Sequence, residues 1–80
     1  MVKKDKQYWI NINKITIPED FELHRPKKNK MFQKRRYFHK YGEFESRIIL
    51  NQNYRLIDGY TSLLIAKEFD LGKVPVYFVK

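Results

Sequence analysis

The apolar positions change their spacing several times along this chain. From Gln7 to Ile17, Trp9, Ile10, Ile12, Ile15 and Ile17 alternate in part with polar residues and are β-branched or aromatic, which predicts one strand or two short ones ending before Pro18. "PEDFELHRPKK" follows, bracketed by Pro18 and Pro26. Each proline biases its predecessor away from helix, so a loop is predicted. From about Asn29 to Tyr41 the period becomes helical. At 100° per residue Met31, Tyr37, Phe38 and Tyr41 share an arc of about 120°, and Gly42 suits the stop. Lys34 falls inside that arc and is expected to snorkel outward or to lie at its edge. Arg35, Arg36, His39 and Lys40 lie on the other side, with Phe32 among them as a ring available for base stacking or for a second core contact.

The second half reads as strand, turn, strand, turn, helix, strand. "RIILNQNYRLID" predicts two strands joined at Asn51-Gln52-Asn53, because asparagine tolerates the left-handed conformations of a tight hairpin. Tyr60 to Phe69 predicts a helix whose Leu63, Leu64, Ile65, Ala66 and Phe69 are spread over most of its circumference. A helix apolar nearly all round is a buried one. Asp58 is placed to cap it by accepting from the amide of Tyr60 or Thr61, and Gly59 lets the chain turn. "VPVYFV" predicts a closing strand. The elements make a small α+β domain with a mixed sheet and two main helices, about 29–41 and 60–69, expected to occupy residues 1–80 as one unit. No internal repeat, linker or low-complexity tract interrupts it.

Composition narrows the class. With 42% hydrophobic and 16% aromatic residues, the 80-residue chain is too apolar to stay disordered. It contains no Cys, which excludes disulfides, thiolate metal sites and cysteine catalysis and suits a reducing cytoplasm. The longest apolar run, Leu63 to Ala66, is far short of the ~18 residues of a membrane span, and the basic N-terminus leads into no signal-like segment. No membrane partner is expected.

Charge changes the picture more. The net charge is +8, and eight of the 17 basic residues (Arg25, Lys27, Lys28, Lys30, Lys34, Arg35, Arg36 and Lys40) stand between Leu23 and Gly42 with no acidic residue among them. The other nine face all nine acidic residues, so the excess belongs to this segment. Concentrated charge of one sign favours polyanionic partners, above all nucleic acid, and also serves as a solubilising face.

Catalytic patterns are weak. His24, His39, Asp20 and Asp58 show no metal-ligand spacing, so neither a metal nor a cofactor is expected. Ser46 and Ser62 combine with His39 and Asp58 only on paper, because no nucleophile elbow surrounds either serine. Asp58 and Glu68 alone do not make the clustered acid set of a metal-dependent nuclease.

"YRLIDGYTSLLIAKEFDLGKVPV" resembles the ParB-like domain of chromosome and plasmid partition proteins and, more distantly, sulfiredoxin. The family pattern of strand, Asp-Gly or Gly-Gly, helix with alanine in its second turn, then Leu-Gly, a spacer, Val or Ile, Pro and Val falls on Leu56-Ile57, Asp58-Gly59, Ala66, Leu71-Gly72 and Val74-Pro75-Val76. Upstream, Tyr41-Gly42 and Ile48-Ile49 match the helix end and the following strand, so the resemblance covers roughly residues 10 to 79.

This chain departs from the family at its phosphate-gripping Glu-Arg-Arg box, where it has Tyr60, Thr61 and Ser62. An arginine contributes charge-assisted hydrogen bonds of about 1.5–3 kcal/mol each, which a hydroxyl does not replace. Sulfiredoxin's cysteine position holds Tyr60, which excludes its sulfur chemistry. The helix start at Gly59, Tyr60, Thr61 and Ser62 remains a weak candidate for holding an anion, beside its plain reading as an ordinary helix start.

The resemblance and the charge together imply a DNA-binding accessory protein that works without catalysis. Its expected site is Arg25, Lys27, Lys28, Lys30, Lys34, Arg35, Arg36, His39 and Lys40. Its size suggests a stripped domain carried by a phage or other mobile element. Two alternatives stay open. One is a small protein that docks on a host protein such as a nuclease, with Trp9, Tyr37 or Tyr41 as exposed aromatic anchors. The other is a degenerate domain that still holds a nucleotide at the helix start.

Overall fold

A computed structural model describes residues 6–79. In chain order it contains β1 (Tyr8–Asn11), a short 3-10 turn (Ile12–Lys14), α1 (Glu19–Leu23), α2 (Lys28–Tyr41), β2 (Ile48–Leu50), β3 (Leu56–Asp58), α3 (Tyr60–Glu68) and β4 (Lys73–Phe78). The four strands form one mixed sheet in the order β1-β4-β2-β3. β2 runs parallel to β4, and the β1–β4 and β2–β3 pairs are antiparallel. This is the expected α+β architecture, a mixed sheet with two main helices.

One face of the sheet makes the core. Along β4, Val74, Val76 and Phe78 are buried and alternate with Lys73, Pro75 and Tyr77, as the two-residue period of a strand requires. Ile48, Leu50 and Leu56 bury beside them, and Leu63 and Ala66 of α3 complete the cluster. α3 buries six of its nine residues. Its all-round apolar pattern is explained by its position, with the sheet on one side and α2 packed on the other.

Two expectations need correction. The "PEDFELHRPKK" stretch is not all loop, because Glu19–Leu23 forms α1. Pro18 stays outside the helix at the cap position, with extended backbone at φ −59° and ψ 145°, and Glu19, Asp20 and Glu22 lie in the first turn, where the helix dipole favours negative charge. Of the one strand or two short ones expected before Pro18, one forms, β1, and the residues after it make a 3-10 turn and a single parallel bridge from Thr16 to Arg55. Asp58 does not cap α3. The cap position is Gly59, and the Asp58 carboxylate accepts from the adjacent Gly59 amide at 2.8 Å.

The hairpin turn is as predicted in place but not in detail. Asn51 Oδ1 accepts from the amides of Asn53 and Arg55, and the left-handed residue is Tyr54, at φ 64°. An asparagine side chain standing in for a backbone acceptor explains why the turn begins there.

Candidate nucleic-acid interface

α2 carries most of the basic segment, and its packing sorts the cations. Phe38 anchors the helix, with its ring 4.7 Å from Phe44 and 5.2 Å from Phe69 at the end of α3. Met31 lies on the same side and is half-buried. Tyr41, expected in that stripe, is 55% exposed, so the core-facing arc is rotated towards Arg35.

That rotation decides what the two central cations do. Arg35 turns to α3 and donates from Nε and one terminal nitrogen to the Glu68 carboxylate, both at 3.1 Å. Lys34 is half-buried; its Nζ donates to Ser46 Oγ at 3.0 Å and lies 3.3 Å from Glu45. Lys34 thus lies within the packed side of the helix with its charge compensated. These two cations connect α2 to its neighbours. The sequence could not reveal this, because Glu45 and Glu68 lie 11 and 33 residues away.

The other cations are outward. Arg25, Lys27, Lys28, Lys30, Arg36, His39 and Lys40 are all exposed, and none is in an ion pair among the described residues. Phe32, 55% exposed, sits among them with the Arg36 guanidinium 5.7 Å from its ring centre. Lys40 lies 5.3 Å from the Tyr41 ring. A groove of about 830 Å³ runs between this face and α3, lined in part by Arg25, Lys28, Phe32, Arg35 and Lys67. The arrangement presents cations and aromatic rings on the exposed surface of a helix, the chemistry that phosphates and bases meet in nucleic-acid contacts.

The α3 start is built differently from a phosphate clamp. Tyr60, Thr61 and Ser62 are buried. Ser62 Oγ donates to the Ser46 carbonyl at 2.6 Å, so that hydroxyl is already used. Beside it lies a cavity of about 220 Å³ lined by His24, Lys30, Asp58, Gly59 and Thr61 among others. That is below the about 300–1,000 Å³ of small-molecule sites, and no arginine lines it. The residues present do not fit a nucleotide triphosphate. Among the described residues no group of three His, Asp or Glu side chains is placed to hold a metal ion, and no helix is long and apolar enough to cross a membrane.

Fold and surface define a small α+β domain with a mixed four-strand sheet, one buried helix and one basic helix. No family model matches the chain, and no curated protein matches it. Solved structures do. A pNOB8-like ParB N-domain in its C2221 crystal form matches with a TM-score of 0.75 and 25% identity over 91% of this chain. A second structure of the pNOB8-like ParB N-domain matches with a TM-score of 0.72 and 25% identity over 94% of it. The match covers 29% and 28% of those two chains, so this chain spans less than a third of their length. The chain has the fold of a ParB N-domain.

Proposed function

We propose that this ParB-like domain is a DNA-binding accessory module that grips the phosphate backbone and performs no catalysis. The observation that carries the reading is the exposed set Arg25, Lys27, Lys28, Lys30, Arg36 and Lys40, displayed by α2 and the segment before it with no acidic residue between Leu23 and Gly42. The ParB N-domain fold of the similar structures supports it. Lys34 and Arg35, also expected in the interface, are secondary in this reading: a phosphate would have to compete with Glu45 or Glu68 for them. His39 adds a hydrogen-bond donor on the same exposed side.

Binding of this kind is electrostatic and largely indifferent to sequence, because phosphate contacts position a protein without reading bases. The test is a labelled mixed-sequence duplex with the wild type and Arg36→Glu/Lys40→Glu. Both residues are exposed, so the double variant should keep its fold, which circular dichroism checks. Micromolar or tighter binding that collapses in the variant supports the reading. Equal binding by both proteins, or none by the wild type at low salt, refutes it.

A further inference from the structure

Among the described residues no helix packs on the outward face of the sheet. On β1 the outward residues are Trp9 and Asn11, on β4 they are Lys73, Pro75 and Tyr77, and at β2 they are Ile49 and the preceding Arg47, all opposite in alternation to the buried set. α3 packs on the other face, and α2 packs on α3. Trp9 is consequently 62% exposed. The face runs into a notch of about 710 Å³ where β2 begins later than β4, lined by Trp9, Tyr37, Arg47, Pro75 and Tyr77 among others.

We propose that this face is a stacking platform for the bases of an unpaired DNA strand, held by Trp9 and by the Arg47–Tyr77 pair. Trp9 lies opposite Pro75 in the β1–β4 ladder, and Tyr77 is two residues further along β4, which makes Trp9 and Tyr77 diagonal neighbours on one face. Such neighbours are about 7–8 Å apart. This is about twice the ~3.4 Å per nucleotide of a stacked strand, so neighbouring bases reach both rings only when splayed apart. A single strand permits that, whereas a duplex hides the faces of its bases.

The remaining groups suit the same occupant. The Arg47 guanidinium lies over the Tyr77 ring at 4.4 Å, a planar cation that extends the stack and attracts a phosphate. Lys73 supplies a second cation, and β1, β4 and the outward positions at β2 carry no carboxylate. At the notch rim Glu45 is paired with Lys34, and Glu43 is a second carboxylate there. The Tyr77 hydroxyl donates to Gln7 Oε1 at 3.1 Å, which holds the ring in place. That the strand is DNA rests on the function proposed for α2; the platform itself lies on different residues.

Trp9 is the chain's single tryptophan, so its emission reports this face alone. The experiment titrates the full chain with dT12 and with an abasic strand of equal length while Trp9 fluorescence is followed. Labelled dT12 and a labelled duplex are then titrated with Trp9→Leu and Tyr77→Leu, which keep apolar bulk and remove the ring. The expected result is quenching by dT12 but not by the abasic strand, with dT12 affinity about tenfold or more weaker in each variant and duplex affinity unchanged. Unmoved emission at saturating dT12, equal quenching by the abasic strand, or variants that bind dT12 like the wild type would overturn the proposal. Quenching that persists when duplex binding is absent sinks the α2 reading alone, and the converse sinks this one alone.

Discussion

Gly59 is the residue on which the β3-to-α3 connection depends, and replacing it with alanine is a quantitative test. Its φ of +90° lies where an L side chain is strained, at about 1–2 kcal/mol. A Cβ added there would also stand 2.7 Å from Ile48 Cα and collide with the Arg47 carbonyl oxygen. Both obstacles are backbone atoms at the start of β2, so relief requires moving a strand of the core. Overpacking of this kind costs typically about 1–3 kcal/mol, which brings the total to about 2–5 kcal/mol. Gly42 is the control: its φ is +71°, but nothing lies within 4 Å of its Cβ position, so Gly42→Ala carries only the conformational part. In a domain of this size each kcal/mol shifts Tm by about 4–8 °C. Thermal melts by circular dichroism should therefore place Gly59→Ala below Gly42→Ala by about 5–20 °C. Equal melting temperatures would refute the close approach of Gly59 to β2.

Other consequences follow from single contacts. Ser62→Ala removes the donor to the Ser46 carbonyl and should cost about 1–3 kcal/mol, read by urea unfolding; an unchanged midpoint contradicts the bond. Glu68→Gln releases Arg35 from a half-exposed pair. Stability should fall by no more than about 1 kcal/mol, and duplex affinity at low salt should rise, as measured by anisotropy; a fall in affinity would show that Arg35 needs its partner for orientation. Phe38→Ala should cost about 1–3 kcal/mol, because its half-buried ring joins Phe44 to Phe69, and a loss below about 0.5 kcal/mol would mean that α2 is not anchored there.

Much of the architecture was legible in the residues. The spacing of Val74, Val76 and Phe78 gave β4 its buried face, and the apolar circumference of Leu63 to Ala66 marked α3 as the element pressed between two layers. The signals that failed were local ones overruled by neighbours. Pro18 and Pro26 read as loop markers, yet both stand outside Glu19–Leu23, and a five-residue helix leaves too little periodicity to count. Asp58 has the composition of a cap, but a left-handed Gly59 directs its carboxylate to the adjacent amide.

The candidate site was legible as a segment but not as a surface. Charge counting selected Arg25 to Lys40, whereas dividing them into outward cations and paired ones required Glu45 and Glu68 to be located in space. The outward aromatic face of the sheet was the least visible, since Trp9, Arg47 and Tyr77 are widely separated in sequence and meet only through the β1-β4-β2 order.

The central claim is that α2 holds DNA by its outward cations, and the salt dependence of duplex binding tests it most directly. With about five phosphates neutralised, log K should fall against log salt with a slope of about −4.5, and Arg36→Ala/Lys40→Ala should bring it to about −2.7. A slope near zero, or the same steep slope in the double variant, would contradict the account.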